Sequence, residues 1–161
     1  MPDMLVKLYK LPEASGEVAA LRADGVTCRR AESYERSALV EFVKHCFPAW
    51  VDETLAGFAH VPPTVYIAID HGAVVGFACY NATRLDYFGP TGVDEPQRGR
   101  GIGRVLLLQC LQALRDDGYA YAIIGGVGPA AFYEKAVGAT LIPDSDPGIY
   151  GGMVRPRGDG R

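Results

Sequence analysis

Long apolar runs are missing from the 161-residue sequence, and none approaches the roughly 20 residues that a membrane-spanning helix requires. The first ten residues also lack the order of charged and then apolar residues that marks a secretory signal. We therefore expect a cytoplasmic protein that does not act at a membrane.

Potential metal ligands and disulfide pairs are scarce. The four cysteines form no CxxC pair, and the three histidines show no ligand spacing with one another or with the cysteines, which are Cys28, Cys46, Cys79 and Cys110. This pattern favours neither a zinc site nor a disulfide framework. We interpret the cysteines as small buried hydrophobic residues and expect no metal cofactor.

Excess positive charge is also absent, because the formal net charge is -3 and no long run of Lys and Arg occurs. This composition argues against a nucleic-acid partner. A content of 48% hydrophobic and 22% charged residues is that of a globular protein. The length predicts one domain over residues 1–161, with an N-terminal arm at 1–25, a core at 26–154 and a flexible tail at 155–161.

Hydrophobic periodicity and turn residues predict helices and strands that alternate along the chain, without internal repeats. The predicted strands are residues 5–11, 26–30, 64–70, 73–80, 86–93, 119–127, 140–142 and 149–154. The predicted helices are residues 14–23, 33–47, 50–59, 102–117 and 130–137.

The most informative segment is residues 93–104, where a predicted strand ends and the most strongly amphipathic helix begins. Glycines at 99, 101 and 103 let backbone N–H groups approach a phosphate without a Cβ in the way. The helix N-terminus adds unsatisfied donors and the positive end of its dipole. We therefore predict a diphosphate-binding loop.

Two other phosphate-binding loops are excluded by their spacing. GxxxxGK[ST] has no match. GxGxxG fails in both possible registers, because Arg104 and Leu106 occupy the positions that its third glycine requires. The alternative is a flexible turn that binds nothing, in which Arg98, Arg100 and Arg104 are ordinary solvated charges.

The loop resembles the [QR]-x-x-G-x-[GA] signature of the GNAT superfamily of N-acetyltransferases, which Arg98, Gly101 and Gly103 satisfy. The strand before it, the amphipathic helix after it and the later Phe-Tyr-Glu-Lys segment at 132–135 extend the resemblance over about residues 26–142. The resemblance implies an α/β fold with a mixed, mostly antiparallel central sheet flanked by helices. Its central strands, at 86–93 and 120–127, would splay apart.

The resemblance also implies acetyl-CoA as co-substrate, with its pantetheine arm between the splayed strands. Its amides would pair with the strand edge at Gly92 and Val93, a form of strand addition. The diphosphate would lie on the loop and the helix start, formed by Arg98, Gly99, Arg100, Gly101, Ile102, Gly103 and Arg104. The sequence departs from the family where Gly128-Pro129 replaces an Asn-centred helix start, which removes one expected cofactor contact.

Tyr133 is by resemblance the general acid that protonates the departing thiolate. The alternative is an aromatic residue that packs the helix on the sheet. Asp86, Asp94 and Glu95 lie near the loop in sequence, but each also suits a solvated loop, so no general base is assigned.

Acceptor recognition is expected from the first helical layer, the Asp86 region and the C-terminal loop at 143–150, but the sequence specifies these segments poorly. Trp50, Asp52 and Glu53 suit a cationic amine, but we interpret Trp50 as a core anchor and the two acids as first-turn helix charges.

We therefore expect an N-acetyltransferase that moves an acetyl group from acetyl-CoA to a primary amine by direct attack in a ternary complex. The acceptor is a small-molecule amine or a peptide amine, and its identity and the acyl-chain preference stay open. The alternative is a non-catalytic acyl-CoA-binding regulatory module. A homodimer, built by strand addition from the N-terminal arm, is a further option.

Overall fold

A tight hairpin lies in the middle of the sheet and is formed by two runs of β-branched and aromatic residues. In this computed structural model, which describes residues 1–158, the runs are β3 (Val65–Asp70) and β4 (Ala73–Tyr80). The strands pair antiparallel, and the two turn residues His71 and Gly72 have φ of 50° and 77°. A left-handed pair of turn residues matches the twist of the flanking strands. The predicted hairpin with its tight turn at these two residues is confirmed.

Seven strands form one sheet in the order β2-β3-β4-β5-β6-β1-β7. The other strands are β1 (Met4–Lys7), β2 (Val26–Arg30), β5 (Tyr87–Val93), β6 (Tyr121–Ile124) and β7 (Thr140–Leu141). All neighbouring pairs are antiparallel except β5 and β6, which are parallel. The expected mixed, mostly antiparallel sheet is confirmed.

Helices cover the sheet and define two hydrophobic cores. They are α1 (Ser15–Ala23), α2 (Arg36–Cys46), α3 (Val51–Gly57), α4 (Ile102–Asp116) and α5 (Ala130–Val137). The larger core contains buried residues of α1, α4 and α5, and the smaller one is built around Leu39, Val43 and Phe77 beneath α2 and α3. The two helices that precede the hairpin therefore belong to a different core from α4 and α5.

The parallel strands β5 and β6 stay together for only two residues. Tyr87 lies opposite Ile123 and Phe88 opposite Ile124, and no further pair joins the strands. Beyond Phe88, β5 continues to pair with β4 as far as Val93. The central strands therefore splay apart at their carboxyl ends, as the expected fold requires.

The N-terminal segment differs from the expected arm at residues 1–25. Met4, Val6 and Leu8 are fully buried, and β1 lies between β6 and β7, to which it pairs antiparallel. Both edges of β1 are thus occupied within the chain, so this strand is not free to pair with a second copy. Homodimer formation itself stays a prediction.

The predicted strand at residues 149–154 is wrong, because a 3-10 turn occupies Gly148–Tyr150 and no strand follows it up to residue 158. Positive φ angles of 57° at Gly148 and 78° at Gly152 interrupt extended backbone. The predicted strand at residues 5–11 is also too long, since a 3-10 turn begins at Leu8. The tail predicted at 155–161 lies partly outside the described residues.

Three of the four cysteines are buried, and Cys46 is half-buried on α2. Burial raises the pKa of the Cys28 thiol to about 11, so this residue is uncharged at neutral pH. In residues 1–158, no helix combines the length and the apolarity needed to cross a membrane. The cytoplasmic location stays a prediction.

Candidate active site

The gap between β5 and β6 opens into a cavity of about 740 Å³. This volume lies within the usual range of small-molecule sites, about 300–1,000 Å³. One wall is the second half of β5, and the opposite wall is the segment from Ile124 to Pro129 that follows β6. The cavity thus occupies the place where the expected fold holds its co-substrate.

The N-terminus of α4 offers free backbone donors. The N–H groups of Ile102, Gly103 and Arg104 have no intrahelical partner, because they lie in the first turn. No side chain caps the helix and its first turn contains no acidic residue, so these donors are open to a ligand. Gly99 and Gly101 have φ of 84° and 85°, and a Cβ added at either residue would meet no atom within 4 Å. This turn fits an anion that approaches the backbone closely.

The edge of β5 also presents backbone groups to the gap. The Asp94 N–H donates to the Val75 carbonyl of β4 at 2.9 Å. Successive residues of a strand direct their backbone groups alternately toward and away from the partner strand. The N–H and C=O of Val93 therefore point away from β4 and toward the gap. Arg98 Nε donates to the Val93 carbonyl at 3.1 Å, so the first loop arginine lies along this edge.

Arg100 and Arg104, in contrast, fasten the loop to neighbouring elements. Arg100 forms ion pairs with Asp24 at 2.9 Å and Asp70 at 3.1 Å. Arg104 Nε pairs with Glu17 at 2.9 Å, and its Nη1 donates to a carbonyl of α5 at 3.0 Å. Neither side chain lines the cavity. The prediction that they bind the co-substrate therefore lacks support from side-chain position.

Five of the predicted site residues line the cavity: Gly92, Val93, Arg98, Gly103 and Tyr133. The other five do not line it, and these are Gly99, Arg100, Gly101, Ile102 and Arg104. Ile102 directs its side chain into the core, where it is 1% exposed, so only its backbone faces the anion site. The cofactor-binding and catalytic roles of all ten residues stay predictions.

Tyr133 lies on α5 beside the cavity. Its ring packs edge-on against Phe88 at 6.3 Å and Phe132 at 5.1 Å between centroids, which holds its direction. Burial raises the pKa of the Tyr133 phenol above its usual range, so the hydroxyl keeps its proton at neutral pH. This arrangement suits a proton donor, and it also shows the packing role that was the alternative.

None of the three carboxylates near the loop in sequence, Asp86, Asp94 and Glu95, lines the cavity. Asp86 precedes β5 in a left-handed conformation with φ of 67°, and its Oδ1 is buried without a hydrogen-bond partner. Burial raises the pKa of Asp86 to about 6. The structure therefore provides no direct support for any of them as general base.

Several residues that the sequence analysis did not assign to the site line the cavity. Trp50 and Glu53 are among them, although the sequence favoured a packing role for the first and a helix-charge role for the second. Tyr150 reaches the cavity because the C-terminal loop folds back and its hydroxyl lies against Gly125. Asp3 holds this loop, since the Ile142 N–H donates to the Asp3 carbonyl at 2.9 Å. The C-terminal loop at residues 143–150 was expected to contribute to acceptor recognition, but its attachment through Asp3 had no sequence signal.

Within residues 1–158, no three His, Cys, Asp or Glu side chains converge as a metal site would require.

The fold, the splayed strands and the uncapped glycine turn agree with a comparison to protein families, in which the acetyltransferase (GNAT) family model matches residues 24–139. The chain belongs to the GNAT family of acetyltransferases.

Solved structures show the same GNAT fold at low sequence identity. A GCN5-related glucosamine N-acetyltransferase region of a fungal multi-domain GH3 β-N-acetylglucosaminidase is 16% identical, with a TM-score of 0.73 over 88% of this chain. A GCN5-related N-acetyltransferase from Sphaerobacter thermophilus is 21% identical, with a TM-score of 0.66 over 88% of this chain. The chain spans 19% and 48% of the lengths of these two proteins. No curated protein matches the sequence.

Proposed function

We propose that this GNAT-family chain is an N-acetyltransferase that uses acetyl-CoA to acetylate a primary amine by direct attack in a ternary complex. The observation that carries the proposal is the continuous cavity along the splayed strands. It runs from Arg98 and Gly103, at the uncapped start of α4, to Tyr133 on α5.

The residues present fit acetyl-CoA. The uncapped N-terminus of α4 and the open space at Gly99 and Gly101 suit the diphosphate, because backbone donors and the helix dipole both favour an anion. The outward N–H and C=O of Val93 suit the amides of the pantetheine arm. In this arrangement Arg98 exchanges its bond to the Val93 carbonyl for contact with the co-substrate.

Acetyl-CoA supplies the acetyl group as a thioester, so transfer forms a C–N bond, breaks the C–S bond and leaves a thiolate that takes up a proton. Tyr133 holds a proton at its phenol oxygen beside the cavity. In the proposed reaction it donates this proton to the thiolate and then recovers one from solvent. The amine proton passes to water.

The test separates binding from turnover. Calorimetry with acetyl-CoA measures binding first, and a free-thiol assay with a panel of primary amines then measures turnover. We expect saturable binding and amine-dependent thiol release. Binding without release from any amine would instead support a non-catalytic acyl-CoA-binding module, and absence of binding would refute both functions.

A further inference from the structure

We propose that the end of the cavity bordered by Trp50, Glu53 and Tyr150 binds the acceptor, and that the acceptor is a small amine bound as its ammonium ion, which loses a proton to water before the neutral amine attacks. This inference rests on the proposed acetyl transfer and adds the chemical class of the acceptor. It depends on the position of these residues relative to the anion site, on the charges that line the cavity and on the aromatic walls.

The two ends of the cavity lie at opposite ends of β5. Thr83, in the turn that precedes this strand, donates a hydrogen bond from its hydroxyl to Glu53 Oε2. Arg98 follows the other end of the strand and bonds Val93 there. Glu53 belongs to α3, which packs with the smaller core, whereas the anion site belongs to α4 and the larger core. The gap in the sheet therefore connects a site for an anion with a separate carboxylate.

Glu53 is the charged side chain that makes this second end of the cavity prefer a cationic ligand. Apart from Arg98, the other charged groups lining the cavity are Asp146 and the N-terminal amine of Met1, which neutralise each other in an ion pair at 2.8 Å. Among the described residues, no basic group pairs with Glu53, and Thr83 donates to only one of its oxygens. A carboxylate with an open oxygen in a largely apolar cavity attracts a charged N–H donor.

Aromatic rings also line this cavity. Trp50 stacks on Phe47 with centroids 5.3 Å apart and planes 21° apart, which fixes the indole at the cavity wall. Burial first, and then the nearby Glu53 carboxylate, raise the pKa of the Tyr150 phenol, so Tyr150 is a neutral hydroxyl within the field of that carboxylate. Aromatic faces attract cations, most strongly that of tryptophan. Rings and carboxylate therefore favour the same ligand charge.

The size of the cavity limits the acceptor. Its volume of about 740 Å³ has to hold the reactive end of the co-substrate as well as the acceptor. The C-terminal loop that carries Tyr150 also covers Gly125 and Gly126, whose added Cβ atoms would lie 3.1 Å and 3.5 Å from the tyrosine. A small-molecule amine fits the space that remains beside the co-substrate better than a peptide chain.

Intrinsic fluorescence gives a direct test, because Trp50 is the sole tryptophan of the chain. The protein is titrated with n-butylammonium chloride and, separately, with butan-1-ol, which has the same chain length without the charge. We expect a saturable change in Trp50 emission with n-butylammonium and no saturation with butan-1-ol over the same concentrations. Equal responses to the two probes would overturn the inference.

Glu53→Gln tests the carboxylate, since it removes the charge and keeps an acceptor for the Thr83 hydroxyl. We expect n-butylammonium affinity to fall by about 10- to 100-fold, the usual contribution of a hydrogen bond to a charged group. Asp52→Asn is the matched control, because Asp52 is the exposed neighbouring acid on α3 and does not line the cavity. Its n-butylammonium affinity should equal that of the unsubstituted protein.

Acetyl-CoA calorimetry on the same samples separates this inference from the proposed function. Unchanged acetyl-CoA affinity in Glu53→Gln shows that the variant is folded, and unchanged n-butylammonium affinity in that variant would then refute the role of Glu53. If the variant does not fold, the comparison of the two probes on the unsubstituted protein still decides the charge preference. Failure of the unsubstituted protein to bind acetyl-CoA refutes acetyl transfer, whatever the ammonium titration shows.

Discussion

Replacement of Gly92 by alanine tests whether β5 and the aromatic wall of the cavity are in contact. A Cβ at this position would lie 2.6 Å from two ring carbons of Phe47. Ordinary carbon contacts are about 3.5–4.0 Å, so the ring or the strand has to move by about 1 Å. Phe47 has little freedom to do so, because its ring lies 5.3 Å from that of Trp50 and 5.9 Å from that of Phe77.

Overpacking of this kind costs about 1–3 kcal/mol of unfolding free energy. For a domain of this size, that corresponds to a fall in Tm of about 2–12 °C. Because Trp50 stacks on Phe47, movement of the ring also changes the environment of the sole tryptophan. We therefore expect Gly92→Ala to lower the unfolding midpoint and to shift tryptophan emission in the folded state.

Gly103→Ala is the matched control, since it adds the same methyl group to another glycine that lines the cavity. Its Cβ would meet only the Val93 side chain, at an ordinary 3.7 Å. Alanine is favoured over glycine in a helix by up to about 1 kcal/mol, so this variant should be as stable as the unsubstituted protein or slightly more stable. Urea unfolding followed by far-UV circular dichroism measures both variants. Equal stability and equal emission of the two would refute the predicted contact between Gly92 and Phe47.

Three further predictions concern the co-substrate turn, the proton donor and the half-buried carboxylate of Asp86. Gly101→Ala should weaken acetyl-CoA binding at least about 10-fold in calorimetry. Its control is Gly118→Ala, at the other end of α4 with φ of 104°. This control should suffer similar backbone strain, about 1–2 kcal/mol, and leave binding unchanged. Tyr133→Phe should lower kcat by about 10²–10⁴-fold in the thiol assay with nearly unchanged acetyl-CoA affinity, whereas Tyr34→Phe, at an exposed site, should alter neither. Asp86→Asn should stabilise the protein by about 1 kcal/mol at pH 8 in urea unfolding, because the buried Oδ1 no longer carries charge without a partner.

The pH dependence of the last variant has a definite sign. The pKa of Asp86 is raised from 3.8 to about 6, so the folded state binds more protons than the unfolded state between these values. The stability of the unsubstituted protein relative to Asp86→Asn should therefore fall as pH rises from about 4 to above 6. A stability difference that is the same at pH 4 and pH 8 would contradict this account.

Distinct results would contradict the other two predictions. Equal loss of acetyl-CoA affinity in Gly101→Ala and Gly118→Ala would show that backbone strain, not the anion site, controls binding. A near-normal kcat in Tyr133→Phe would show that the thiolate is protonated by water, and would leave Tyr133 with its packing role against Phe88.

The sequence by itself determined the features that depend on local patterns. The glycine spacing at 99, 101 and 103 and the amphipathic pattern of α4 predicted an anion-binding turn at a helix start, and the structure has both the positive φ angles and the uncapped helix. The hairpin at His71-Gly72 was predicted in the same way. These features follow from the conformational freedom of glycine and from side-chain periodicity within a few consecutive residues.

Tertiary structure alone decided where charged side chains point and which distant segments meet. Arg98, Arg100 and Arg104 all belong to the same glycine-rich segment. Acidic residues 30 or more positions away nevertheless bind the side chains of Arg100 and Arg104 and hold them out of the cavity. Asp3, which directly precedes β1, joins this strand to the loop that carries Tyr150 by bonding Ser145, 142 positions away in sequence. Neither the buried position of β1 nor this cavity wall therefore followed from local patterns. Long charged side chains and chain ends take their positions from partners that only the folded chain brings near.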